Sequence, residues 1–151
     1  MLRLVSPVDH FAARQLYADC VREGAVKPRL GALIARQLAD GAVVGFADGD
    51  RLLALMTASP TSLGLKGLPT LEISVCGRRD DCAGQMLALS RLARLTLATW
   101  LQDGTVALCG VVREGHVPGQ RLARLAGFRR DRIAEGLEIW TRFAPCRQSE
   151  S

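Results

Sequence analysis

Glu72 and Ser74 alternate with Leu71, Ile73 and Val75 in the stretch TLEISVC, residues 70 to 76. That period of two puts both polar side chains on one face of an apolar strand. A carboxylate there has two readings at this point: a surface partner for an arginine, or a group that exchanges protons. Ser74 has no His and Asp nearby in sequence to activate it and is poorly qualified as a nucleophile. Cys76 closes the strand and reads as a small apolar core residue. His116 lies in a glycine-flanked loop, where an imidazole is either exposed or used for a hydrogen bond.

Just after that strand comes Arg79-Asp80-Asp81-Cys82-Ala83-Gly84. On local grounds alone, Asp80 or Asp81 is the N-cap of a long helix, worth about 0.5 to 2 kcal/mol, with Arg78 and Arg79 exposed. Metal chemistry is not indicated. The five cysteines (20, 76, 82, 109 and 146) form no C-x-x-C pair, and there are only two histidines. No metal is therefore expected, and the scattered, odd-numbered thiols argue against a disulfide framework.

The positioning elements follow from periodicity. Leu2 to Val5 alternates as a short strand. Asp9 suits the N-cap of a helix running to about Glu23, with Phe11, Leu16 and Cys20 turned inward and Gly24 ending it. Pro28 opens a second helix to Leu38 or Ala39. Residues 42–47 and 52–58 flank Asp48-Gly49-Asp50 as a tight hairpin. Ser59 to Pro69 is a loop rich in Gly, Pro, Ser and Thr. A strand over residues 70–76, the longest helix from Asp81 to about Leu101, and a continuous apolar strand over 105–112 come next. A shorter helix ends at Gly127, and a hairpin of residues 128–133 and 137–143 around Ala134-Glu135-Gly136 closes the chain. The fold class is α/β with a mixed sheet, in the order strand, two helices, three strands, helix, strand, helix, two strands; residues 70–112 form a crossover unit expected to be parallel.

Of 151 residues, 48% are hydrophobic and 23% charged. That composition suits a single domain over residues 1–145 with a short tail at 146–151. The N-terminal stretch lacks the apolar segment of a signal peptide and no long apolar run is present, so a cytoplasmic location without membrane insertion is expected. The net charge of +5 comes almost entirely from arginine, since Lys27 and Lys66 are the only lysines. Arginine forks suit phosphate, as a nucleotide or as nucleic acid. Dispersed arginines and 5% aromatic content leave few stacking platforms, so nucleic acid is not favoured.

The element order, together with Gly127-Phe128-Arg129-Arg130-Asp131 and the closing EIWTRF strand, resembles the GCN5-related N-acetyltransferase (GNAT) family over essentially the whole chain. The resemblance implies a seven-stranded mixed sheet whose fourth and fifth strands splay to admit acetyl-CoA as co-substrate. The family's pyrophosphate motif is Arg or Gln, two residues, Gly, one residue, then Gly or Ala. Here Arg79 and Gly84 match and Cys82 replaces the first glycine. Carried over, cofactor contacts fall on Ser74, Val75, Cys76, Arg78, Arg79, Asp81, Cys82, Ala83, Gly84, Gln85 and His116, with amides at the helix start facing phosphate. Glu72 takes the place of the general base and His116 that of a residue near the departing thiolate. The family's tyrosine acid is replaced by Ala123.

The implied reaction is transfer of acetyl to a primary amine by direct attack, with amides near Ser74 to Cys76 polarising the carbonyl. Two other readings stay open: a non-catalytic binding or regulatory module, and an RNA-directed enzyme acting on aminoacyl-tRNA. The acceptor and the oligomeric state are left open, a homodimer included.

Overall fold

The structure is a computed structural model that describes residues 1–24, 39, 43–61, 68–101 and 107–145. Its strands are β1 (Leu2–Val5), β2 (Val43–Asp48), β3 (Arg51–Pro60), β4 (Thr70–Gly77), β5 (Ala107–Arg113), β6 (Arg129–Ala134) and β7 (Leu137–Phe143). The helices are α1 (His10–Arg22), α2 (Arg79–Cys82), α3 (Met86–Trp100) and α4 (Val117–Leu125). The seven strands form one mixed sheet in the order β1-β2-β3-β4-β5-β7-β6. The helix expected from Pro28 lies, apart from Ala39, outside the described residues. Contacts divide the chain into two compact units, Met1–Ser59 with Ile73–Ala93 and Pro60–Glu72 with Arg94–Ser151.

In the first unit, α1 begins where expected: the Asp9 carboxylate accepts from the Ala12 amide at 2.8 Å. Ala13, Leu16 and Cys20 are fully buried. Their spacing of three and four residues makes one inward stripe, which packs with Val8, Val43, Leu55 and Cys76. Phe11, expected inward, is instead 79% exposed. It lies two residues from Ala13, about 200° around the helix, and so belongs to the opposite face. Gly24, at φ +74°, follows the last turn. β2 and β3 pair antiparallel from Asp48 and Arg51 outward, leaving Gly49-Asp50 as a two-residue turn with Gly49 at φ +59°.

The single helix expected from Asp81 is two. α2 is one turn, Gly84 adopts φ +76°, and α3 starts afresh at Met86. A left-handed residue cannot continue a right-handed helix, and glycine alone takes that conformation without a Cβ penalty. Asp81 does not cap α3. Along α3, Leu89, Ala93 and Leu97, with Leu101 just beyond the helix, recur every four residues and are buried.

In the second unit, β5 is covered on both faces only over its first half, where the apolar run predicts coverage throughout. Ala107, Leu108 and Cys109 are fully buried, but Val111 and Arg113 are exposed. α4 ends as its sequence suggests: Gly127 adopts φ +93°, and the Phe128 amide reaches back to the Ala123 carbonyl at 2.9 Å. β7 pairs antiparallel with both β5 and β6. The last hairpin is tighter than its expected three-residue link. Ala134 pairs with Leu137, and Glu135 and Gly136, both at positive φ, make the turn.

Candidate active site

The loop between β4 and α3 belongs to the first unit and is held by charged groups that the motif alone did not reveal. Arg78 donates from Nε to Asp19 at 2.6 Å and from a terminal nitrogen to the Leu52 carbonyl at 2.7 Å. Its side chain is only 16% exposed, so it is a strut between α1 and β3. Arg51 forms a fork on Asp81, with Nε 3.1 Å from each carboxylate oxygen. Arg22 pairs with Asp19 one turn along α1. The amide of Arg79 donates to Glu23 at 3.0 Å. Asp81 therefore brings no unpaired negative charge to the loop, and Arg79, with an exposed side chain, is the arginine left facing solvent.

Cys82 stands where the family motif has glycine. Its sulfur turns inward, 3.8 Å from the Leu53 carbonyl, into space made by Gly77. A Cβ built on Gly77 would lie 2.6 Å from that sulfur. The glycine missing at position 82 is matched by one at 77, and the sulfur is stowed behind the loop. Gly84 is exposed, and a Cβ added to it would meet nothing within 4 Å, so open space adjoins it. Gln85 reaches back to the Asp81 carbonyl at 3.4 Å, and Ala83 is exposed. The amides of Cys82, Ala83 and Gln85, expected to face phosphate, instead donate within the loop to the carbonyls of Arg78, Arg79 and Cys82 at 3.0, 3.0 and 3.1 Å, because the chain closes there into the one-turn α2 and the turn after it. With the sulfur inward and Asp81 paired, the loop presents the side-chain-free Gly84 and the Arg79 side chain to solvent.

The neighbouring thiols are unreactive. Cys76 is buried, and its proximity to the Cys20 thiol, followed by burial, raises its pKa far above that of an ordinary thiol. Cys82 is pushed up to about 11, by burial first and by the Asp81 charge second. A thiol in that range is not a nucleophile at neutral pH. Ser74 and Val75 are exposed on β4.

Glu72 and His116 lie in the second unit. Glu72 is half-buried and, among the described residues, makes no ion pair. Burial raises its pKa above the usual carboxylate range. His116 is the N-cap of α4, its Nδ1 accepting from the Gly119 amide at 3.2 Å. That bond fixes Nδ1 as the acceptor and leaves Nε2 for other work.

Sequence reasoning missed Glu138. It is 1% exposed on β7, yet it accepts from Trp140 Nε1 at 3.0 Å, Gln120 Nε2 at 2.8 Å and the Gly115 amide at 3.3 Å. Burial opposes its ionisation, but those three donors, with Arg130 at 3.9 Å, outweigh it and hold the pKa below the ordinary value. One carboxylate thereby joins β7, α4 and the residue preceding His116. Its one sequence signal is that it shares strand parity with Trp140, the bulkiest inward side chain of EIWTR. Thr57, buried on β3 in the first unit, has a hydroxyl with no partner among the described residues.

No family model matches the chain, and no curated protein matches it. Solved structures do. An acetyltransferase of the GNAT family from Listeria monocytogenes superposes with a TM-score of 0.67 at 14% identity, covering 95% of this chain and 94% of that one. YncA from Salmonella typhimurium, provisionally assigned as an acetyltransferase and solved with its cofactor acetyl-CoA, gives 0.66 at 16%, over 100% and 97%. PH1933 from Pyrococcus horikoshii gives 0.73 at 11%, over 96% and 99%. The chain has the GNAT fold. No helix among the described residues is long and apolar enough to cross a membrane.

Proposed function

We propose that the chain is an acetyl-CoA-dependent N-acetyltransferase acting on a primary amine. The observation that carries this reading is Glu72: a half-buried carboxylate without an ion-pair partner among the described residues, its pKa raised by burial, on the fourth strand of a GNAT fold. An amine with a pKa near ~10 is protonated at neutral pH and must lose a proton before it can attack, which is work for a base of raised pKa. The β4–α3 loop supports the cofactor half of the reading.

The Gly84 amide and the exposed Arg79 guanidinium hold the diphosphate, Cys82, Ala83 and Gln85 shape the turn through their internal hydrogen bonds, and Arg78 and Asp81 brace it. Ser74, Val75 and Cys76 lie along the acyl arm, where an amide polarises the thioester carbonyl. Bound acetyl-CoA supplies an acyl thioester. Glu72 takes one proton from the ammonium, the freed amine nitrogen forms the new N–C bond as the C–S bond breaks, and the second proton lost from nitrogen passes to the departing thiolate through His116 Nε2 or solvent. No covalent enzyme intermediate is needed.

The test has two stages. Acetyl-CoA at 100 times its dissociation constant stabilises the native state by ~2.7 kcal/mol, which a melting experiment detects. Thiol release with a panel of amines then reads turnover, and Glu72→Gln is expected to lower kcat by about 10²- to 10⁴-fold. Binding without turnover would mark a non-catalytic module; no binding would refute the reading altogether. An RNA-directed version requires acceptor turnover that depends on the tRNA part and weakens steeply with salt.

A further inference from the structure

The sheet face that carries Glu72 in the second unit also carries arginines. The register defines it: Cys109 pairs with Thr141, Val111 with Ile139 and Arg113 with Leu137 between β5 and β7, while Arg129 pairs with Thr141 and Arg132 with Ile139 between β6 and β7. Residues directly opposite one another share a face. The irregularity between Arg130 and Arg132 matters here. With one extra residue in β6, Arg129 and Arg132 fall on the same face despite being three positions apart, and Arg130 turns to the opposite face, toward Glu138. Cys109 ties Glu72 to this surface: the Ala107 amide donates to the Pro69 carbonyl at 3.3 Å between the neighbouring β4 and β5, and in a parallel pair that register sets Glu72 opposite Cys109.

The floor of this surface is apolar at its centre and open at its rim. Ile139 and Thr141 are buried, whereas Val111 and Leu137 are exposed beside them. Among the described residues Arg129 has no ion-pair partner, and Arg132 has only its neighbour Asp131, at 3.1 Å with both side chains 44% exposed. Such a surface pair is worth little and exchanges readily for a better anion. Three strand spacings separate β4 from β6, roughly 14 Å between backbones, and two long side chains reaching inward shorten that to the scale of a small molecule.

We infer that the acceptor is a small amine bearing a carboxylate on an apolar body, an apolar amino acid in chemical class, with its nitrogen at Glu72, its carboxylate at Arg129 and Arg132, and its side chain over the exposed Val111 and Leu137. A guanidinium fork binds a carboxylate in bidentate fashion, which lysine does not reproduce. A neutral amine would forgo those bonds. This inference rests on the acetyl-transfer reading above for the role of Glu72.

The experiment compares leucine with isoamylamine, which is leucine without its carboxylate, and with the corresponding aminophosphonate, using the wild type and an Arg129→Gln/Arg132→Gln variant. The expected kcat/KM for leucine exceeds that for isoamylamine by at least ~10-fold, mostly through KM, and the ratio falls to about one in the variant. The aminophosphonate separates a general anion site, where it matches leucine, from a carboxylate-shaped one, where it does not; either result supports the inference. Equal rates with leucine and isoamylamine in the wild type, or a preference that survives in the variant, would overturn it. A melting-temperature arm with the same three compounds covers absent turnover. Stabilisation by leucine but not isoamylamine, lost in the variant, upholds the acceptor surface even if acetyl-CoA fails to bind. No such difference overturns it independently of the catalytic reading.

Discussion

Replacing Gly77 by alanine tests whether the β4–α3 loop keeps its shape by drawing a sulfur out of the ligand's path. The new Cβ would lie 2.6 Å from Cys82 Sγ, 3.1 Å from Ala54 Cβ and 3.2 Å from the Leu53 carbonyl. Ordinary carbon contacts begin near ~3.5 Å, so the sulfur must retreat by about 1 Å, while the other two atoms have no rotamer by which to escape. Overpacking of this kind costs about 1 to 3 kcal/mol. Cys82→Gly alone costs about 0.5 to 1 kcal/mol in backbone entropy plus the lost burial of the sulfur. In the double variant the worst overlap vanishes, so the two costs should fall short of additivity by at least ~1 kcal/mol. Urea unfolding of the four proteins at equal m-value measures this. Gly77→Ala should also weaken acetyl-CoA by about tenfold, or 1.4 kcal/mol, because the displaced sulfur enters the loop. Strictly additive costs, or a Gly77→Ala protein as stable as the parent, would refute the reasoning.

Glu72→Gln should slow turnover by about 10²- to 10⁴-fold and at the same time raise the melting temperature at pH 7. The folded-state pKa of Glu72 lies above its unfolded value. Its stabilising contribution is therefore complete below the unfolded pKa and lost as pH rises through the folded one, so the neutral amide removes a penalty at pH 7. In the wild type, kcat/KM should climb with pH through a carboxylate step above the ordinary range. Glu138 has the opposite sign: its pKa is depressed, so its contribution is present above the unfolded pKa and lost as pH falls through the folded one. Glu138→Ala should lower the melting temperature at pH 7, with the difference from wild type narrowing in acid. Arg78→Ala strips one carboxylate oxygen of Asp19 of its guanidinium, leaving Arg22 and Gln15 on the other, and leaves the Leu52 carbonyl unmatched; it should cost about 1 to 3 kcal/mol in urea unfolding, whereas Arg79→Ala should leave stability within ~0.5 kcal/mol and weaken acetyl-CoA instead.

Much of the architecture was legible because it rests on local rules. The Asp9 cap, the Asp48-Gly49-Asp50 turn, the glycine stop at 127 and the closing hairpin each follow from one or two residues whose backbone preferences admit few alternatives. What failed was local too. Asp81 looks like a helix cap until Arg51, thirty residues earlier, claims its carboxylate, and the helix then has to restart beyond Gly84. The buried residues with polar heads were the least readable. Glu138 is tolerated inside only because Gln120, Trp140 and the Gly115 amide converge on it, and nothing in a linear pattern announces such convergence. The paired exchange of glycine at 77 and cysteine at 82 was likewise invisible, since it lies between a strand and a turn that do not pair.

Among the described residues the sheet ends at β6, and an edge strand is where a further strand would be recruited. That strand is studded with Arg129, Arg130 and Arg132 and kinked near Asp131. Two copies approaching margin to margin would bring six guanidinium groups together on a bent ribbon, a poor template for growth into fibres. The outermost strand thus has a guarding role that does not depend on any catalysis, and a cell could make this protein abundantly without it polymerising through that side.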